Sequence, residues 1–243
     1  ARNAAVVALT FPSTPLQARR GETVVTGLPL RAAIADLASR RGDAPGAAQT
    51  RREAAERLGV NPDAPTLLVT GGSLGALHVN ESMTSAADAL PVGAQVVHLT
   101  GRGKDEPVRA AVEAAGCSDR WHVIDYLTTM QDALAVADLV VCRSGAGTVA
   151  EMEALGLPCI YVPLPIGNGE QRLNAADHVA AGGAQLIDDK DFTADFVRSN
   201  VFPLLGSARL VDMAAASQSL GRAGAARALA DLALEQVKES GRE

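Results

Sequence analysis

From Thr66 to about residue 188 the sequence keeps changing its period. Short apolar runs, "TLLVT" (66–70), "QVVHLT" (95–100), "WHVID" (121–125), "LVVC" (139–142), "CIYVPL" (159–164) and "AQLID" (184–188), are separated by helical spacing near 75–90, 105–116, 130–137, 148–156 and 171–181. Successive strands with a helix between them pair in parallel, since a crossover that long does not close a hairpin. The runs are apolar almost throughout, as expected of strands covered on both faces. This rhythm predicts an α/β fold with a Rossmann-like parallel sheet. Apolar residues reach 47% but aromatics only 3%, so the core must be built from Ala, Val and Leu.

The flanks read differently. Residues 1–31 suggest strand, loop, strand ("AVVALTF", "ETVVTG", then "LPLR"), too little for a domain and more like the end of one leading into another. The start at Ala1, directly before a strand, looks like a segment of something longer. A helix is expected from about 32 to 41, a loop at "GDAPGA", then an amphipathic "TRREAAERLG". After residue 190 the pattern is helical to the end. We therefore divide the chain into 1–31 as domain end and linker, 32–220 as the Rossmann-like domain, and 221–243 as a C-terminal helix.

A net charge of −6 argues against binding a phosphate backbone, so no nucleic-acid partner is expected. The basic pairs Arg40–Arg41 and Arg51–Arg52 read as solvated helix faces. The three cysteines lack CxxC spacing and read as reduced core residues, and four scattered histidines make no zinc motif. No metal and no cofactor is expected. No apolar run is long enough to cross a bilayer, which leaves peripheral contact open. His78 reads as a surface or packing residue, and His98 and His122 have no obvious acidic partner in sequence.

Three Gly-rich loops follow strands. In "TGGSLGALHV", Gly71, Gly72 and Gly75 allow close approach and Ser73 caps a helix or offers its hydroxyl to an anion. The G-x-G-x-x-G dinucleotide spacing is absent from this loop, which argues against hydride transfer. In "CRSGAGTVAE", Thr148 and Glu151 have capping-box spacing. Alternatively, Glu151 faces the crevice at the strand ends and accepts from the two hydroxyls of a ribose. Arg143 either pairs with a phosphate or anchors the loop. In "PLPIGNGEQRLNA", Glu170, Gln171 and Asn174 open a helix, on which residues three and four apart share a face, and suit a sugar or a solvated first turn. A base would lie near Asp125, Tyr126 and Leu127, on backbone groups.

Taken together, "TGLPLR", "GGSLGA", "ADLVVCRSGAGTVAE", "GLPCIYVP" and "GNGEQRLNAADHV" resemble the MurG family, the UDP-N-acetylglucosamine–N-acetylmuramyl-(pentapeptide) pyrophosphoryl-undecaprenol N-acetylglucosamine transferases. The Ala and Arg bias is like that of an actinobacterial or other high-GC member. The resemblance implies the C-terminal, donor-binding half of a two-domain GT-B glycosyltransferase. It implies that Arg31 and Ser73 contact a diphosphate and that Leu127 offers backbone bonds to uracil. Ala146, Gly147 and Thr148 would line the nucleotide, and Glu151 would bind the ribose diol. Glu170, Gln171 and Asn174 would approach the GlcNAc. The implied partners are UDP-GlcNAc and UDP, with lipid I and the cytoplasmic face of the plasma membrane reached through the other half. The family's GxGGH segment and its proposed catalytic His do not occur here, so no catalytic residue is expected in this chain. The sequence departs from the family at "GLPLR", where GNPVR is common. It also has Gly147 in place of a bulky residue and Glu170 in place of an amide. Another GT-B enzyme and a non-catalytic nucleotide-binding module remain as alternative readings.

Overall fold

The computed structural model describes residues 1–2, 4–72, 75–166 and 168–240. Two short strands come first, β1 (Val6–Leu9) and β2 (Glu22–Val25), paired in parallel. The linker 26–31 leads into α1 (Ala32–Arg40) and α2 (Ala44–Leu58). The main alternation follows as β3 (Thr66–Thr70), α3 (Leu77–Thr84), β4 (Gln95–Leu99), α4 (Asp105–Ala114), β5 (Trp121–Ile124) and α5 (Met130–Val136). It continues through β6 (Leu139–Cys142), α6 (Ala146–Leu155), β7 (Cys159–Tyr161), α7 (Glu170–Asn174), α8 (Ala176–Ala180) and β8 (Ala184–Leu186). The chain closes with α9 (Ala194–Phe196), α10 (Ala208–Leu220) and α11 (Ala225–Ser240).

The six strands β3–β8 pair in parallel in the order β5-β4-β3-β6-β7-β8. Pairing runs outward from β3 in both directions, so the chain reverses its direction across the sheet between β3 and β6. The carboxyl ends of those two strands form the topological switch point, where open α/β sheets leave a crevice. Every strand residue of β3, β4, β6 and β7 is buried. Alternate side chains serve opposite layers. Leu67, Val69, Val96 and Val141 pack with α3, α4 and α10. Leu68, Val97, Val140 and Tyr161 pack with α1, α2, α5 and α6. With few aromatics, the second layer closes through Ala54, Ala55, Ala133 and Ala135, small enough for α2 and α5 to approach each other and the sheet.

Several local expectations need correction. The "GDAPGA" segment is not a loop: α2 begins at Ala44, with Asp43 accepting from the Gly46 amide at 2.6 Å and Pro45 in the first turn. The helix expected over 171–181 is two short ones that meet at Ala175. Arg51 is not a solvated face residue. Its guanidinium forks onto Asp138 at 2.9 Å on both arms and also reaches the carbonyls of Pro62 and Ala64. Arg41 likewise turns inward to the carbonyls of Leu155 and Leu134. All three cysteines are buried and free. Among the described residues no helix is long and apolar enough to cross a membrane.

Candidate functional site

A cleft of about 240 Å³ opens at the switch point. Thr70 and Gly72 come from the end of β3, Leu99 and Gly101 from β4, Asp125, Tyr126 and Leu127 from β5, and Cys142 and Arg143 from β6. Thr148 and Glu151 project from α6, and Arg31 closes the near side from the linker. Parallel pairing brings these segments together because each loop leaves its strand at the same end. The approach is tight: a Cβ on Gly75 would lie 2.2 Å from the Thr100 carbonyl oxygen, and its φ of +69° already requires glycine.

The helix that follows β6 starts at Ala146 with Gly145 as N-cap, and no side chain caps it. The capping-box reading of Thr148 and Glu151 is therefore incorrect, since Thr148 lies inside the first turn. Glu151 instead accepts from Arg31, Nε to Oε1 at 2.9 Å and Nη2 to Oε2 at 3.0 Å. The uncapped first turn keeps its amides available to an anion, and the helix dipole favours negative charge there. Ala146 and Gly147 form that turn ahead of Thr148 but do not line the cleft. A Cβ on Gly147 would meet nothing within 4 Å. Ser73, expected beside the diphosphate, lies outside the described residues.

A second hollow of about 560 Å³ adjoins the exits of β7 and β8 and is lined by Leu164, Glu170, Gln171, Arg172, Asp188 and Asp189, among others. Glu170 and Gln171 thus stand apart from the Glu151 cleft. Gln171 Oε1 accepts from the amides of Leu164 (2.9 Å) and Ser144 (3.3 Å), and Asn174 Nδ2 donates to the Ser144 carbonyl at 3.1 Å. Gln171 therefore staples the β6 and β7 loops together, and Asn174 ties the β6 loop to α7. Glu170 is exposed and accepts from Asn168 Nδ2 at 2.9 Å.

Arg143 is an anchor. One of its guanidinium nitrogens donates to the Val162 and Pro163 carbonyls, both at 3.0 Å, and to Asp189. The other Asp189 oxygen meets His78 Nδ1 at 3.0 Å, an acidic partner brought from over a hundred residues away by the fold. Sequence reasoning misses this, and it also misses that Asp189-Lys190-Asp191 has Asp-x-Asp spacing. Both Asp189 oxygens are engaged by Arg143 and His78, which makes it a brace from the segment after β8 to the β6 loop and α3. No group of three metal-ligating side chains occurs among the described residues. His98 is a core residue: it bonds Asn80 Oδ1 at 3.0 Å and accepts from Trp121 Nε1 at 3.2 Å, and burial pushes its pKa down to about 3.

An all-parallel switch-point cleft with an uncapped helix start and a recessed carboxylate suits a nucleotide. Residues 66–229 match the family described as Glycosyltransferase family 28 C-terminal domain. The chain belongs to that family. Among relatives of this family 28 domain, the UDP-N-acetylglucosamine--N-acetylmuramyl-(pentapeptide) pyrophosphoryl-undecaprenol N-acetylglucosamine transferase of Bifidobacterium longum is 45% identical over 256 residues, 99% of this chain and 64% of that protein. The Bifidobacterium adolescentis protein of the same description is 48% identical over 84% of this chain and 55% of its own length. The chain thus spans less than two thirds of the length of these relatives. The crystal structure of Acinetobacter baumannii MurG superimposes with a TM-score of 0.73 at 26% identity, covering 94% of this chain and 60% of that one. These matches bear out the MurG-type resemblance and the Rossmann-like GT-B C-terminal fold.

Proposed function

We propose that this family 28 domain binds UDP-GlcNAc in the switch-point cleft, as the donor half of an enzyme that transfers GlcNAc to the C4 hydroxyl of MurNAc in lipid I, giving lipid II with inversion at the anomeric carbon. The observation that carries the reading is Glu151, a carboxylate recessed at the cleft wall beside the uncapped start of α6. A carboxylate accepts two hydrogen bonds from vicinal hydroxyls, so Glu151 would hold the ribose diol. Uracil would lie against the β5 exit on the backbone of Leu127. The diphosphate would lie between the β3 loop, with Ser73, and the first turn of α6 at Ala146, Gly147 and Thr148, where Arg31 can reach it.

Negative charge grows on the departing UDP diphosphate as the sugar transfers. Amides fixed at the helix start need no reorganisation to meet it, and they accelerate the reaction to the extent that their bonds strengthen toward the transition state. The hexose would extend toward the second hollow, with exposed Glu170 within its reach. Gln171 and Asn174 would shape that wall by holding the Ser144 and Leu164 backbone. The acceptor, the base that deprotonates it and peripheral contact with the cytoplasmic face of the membrane are assigned to parts of the relatives' length that this chain does not span. On its own the chain would bind donor without turnover.

Calorimetric titration with UDP-GlcNAc, UDP and NAD tests the reading. UDP-GlcNAc and UDP should bind and NAD should not. Glu151→Ala should weaken both uridine ligands about 10- to 100-fold, the cost of losing hydrogen bonds to a charged group. Binding of NAD, or indifference to the substitution, would refute it.

A further inference from the structure

We infer that Arg31 is a specificity-determining residue of the cleft. It occupies Glu151 so that a ligand offering a vicinal diol binds at a penalty unless it also offers an anion to take the guanidinium away. The inference rests on the donor reading above and deepens it.

Both Glu151 oxygens are engaged by the Arg31 fork, at 2.9 and 3.0 Å. The Glu151 side chain is only 14% exposed while that of Arg31 is 62% exposed, so an incoming molecule meets the guanidinium before the carboxylate. Among the described residues the Arg31 guanidinium hydrogen-bonds only to Glu151. Its backbone is extended (φ −61°, ψ 144°) and it stands ahead of α1, so its side chain is not committed to a helix face. Arg31 therefore has one strong partner and room to exchange it.

The exchange is unequal for different ligands. A neutral ribose diol would replace a charge-assisted, bidentate pair by two bonds from neutral hydroxyls, and it would leave a permanently charged guanidinium with water alone. A nucleoside diphosphate compensates, since its oxygens accept the same fork geometry that the carboxylate gives up. Arg31, Glu151, Gly72 and Thr148 line one cleft, so the swing from carboxylate to phosphate stays within one side chain's reach. Arg31 thus penalises nucleosides and rewards nucleoside diphosphates at the same wall.

The test compares uridine with UDP, by chemical-shift titration into the millimolar range and by calorimetry respectively, on the wild-type chain, Arg31→Ala and Arg31→Lys. Thermal melting confirms folding of each variant. Removing the fork should tighten uridine about two- to fivefold, the size of a partly exposed ion pair. The same change should weaken UDP about tenfold through loss of charge-assisted bonds. Arg31→Lys keeps the charge without the fork, and should gain uridine affinity while retaining most of the UDP affinity. Uridine binding that is weaker or unchanged in Arg31→Ala, including no detectable uridine binding in either form, overturns the inference. If wild-type chain fails to bind UDP, or Glu151→Ala leaves UDP affinity intact, the donor reading itself falls.

Discussion

Two arginine–carboxylate forks stand at opposite ends of the same sheet and are built for opposite purposes. At the amino ends of the strands, Arg51 grips Asp138 at 2.9 Å on both arms, and the same groups also hold the Pro62 and Ala64 carbonyls and the Thr66 amide. At the carboxyl ends, Arg31 grips Glu151 with similar geometry, 2.9 and 3.0 Å, but the guanidinium has no further protein acceptor among the described residues. The pair geometry is the same, so the difference lies in what surrounds it. A fork cross-linked to the backbone of β3 and of the α2–β3 loop cannot open without orphaning the buried Thr66 amide. A fork beside a cleft can exchange partners. Pair distance alone does not distinguish a brace from a recognition element.

The strongest way to break this comparison is at the brace. Asp138→Ala would strand the Arg51 guanidinium and leave the fully buried Thr66 amide without its 2.8 Å acceptor. It should cost about 2 kcal/mol, mainly from the orphaned buried amide, since the pair itself is part-exposed at 21% and 35%, read as a lower urea midpoint. Arg51→Ala combined with Asp138→Ala should cost clearly less than the sum of the two, because each single change already orphans the other group. Additive losses would mean that the fork is not one unit.

A carboxylate with no fork sharpens the contrast from the other side. Glu153 is buried, its Oε1 has no hydrogen-bond partner, and burial followed by the neighbouring charge of Asp177 pushes its pKa up from 4.5 to about 7, against an opposing pull from Arg222. The folded state therefore holds this proton where the unfolded chain releases it. The stability tied to it is complete below about pH 4.5 and is lost as pH rises through about 7. His98 and His178, lowered by burial to about 3 and about 4 from 6.5, act in the other direction and contribute stability above pH 6.5 that is lost on acidification. Stability should peak between about pH 6 and 7. Glu153→Gln should stabilise by about 2–3 kcal/mol at pH 9 and by little below pH 4.5, measured as urea midpoints across pH. An equal gain at both ends would show that the effect is not the proton.

The sheet was legible because its signal is local and repeated. Each apolar run from "TLLVT" to "AQLID" carries its own period, and turn chemistry separates it from the next helix. The start of α2 was legible in principle, since Asp43 and Pro45 are ordinary start signals, but the glycines of "GDAPGA" read as a loop. The forks were not legible. Arg51 and Asp138 lie 87 positions apart and Arg31 and Glu151 lie 120 apart; the parallel pairing of β3 with β6 brings the first two together, and the packing of α1 on α6 the second two. For the same reason Glu151 looked locally like half of a capping box with Thr148. The helix in fact begins earlier, at Ala146. His78 is a similar case, because its acidic partner Asp189 arrives from the far side of the sheet. Motif resemblance named the residues proposed for the donor site, and geometry supplied which of them already have partners.

The smallest expected effect is the one that tests the comparison most directly. If the Arg31–Glu151 fork were a brace, Arg31→Ala would lower stability as Asp138→Ala does. An ion pair with a 62% exposed arginine loses most of its Coulomb attraction to solvent, and holding a long side chain in place consumes part of the rest. Glu151 stays at the cleft wall after the substitution, where water can replace the guanidinium as a donor. Arg31→Ala should therefore change the unfolding free energy by less than about 1 kcal/mol, measured by urea denaturation at pH 7 with the m-value unchanged. The contrast with a loss of about 2 kcal/mol at the other end of the sheet would separate a pair kept for folding from a pair kept for exchange. A loss at Arg31 as large as that at Asp138 would mean that the linker is locked onto α6, and that ligand entry must break a structural contact and not a replaceable one.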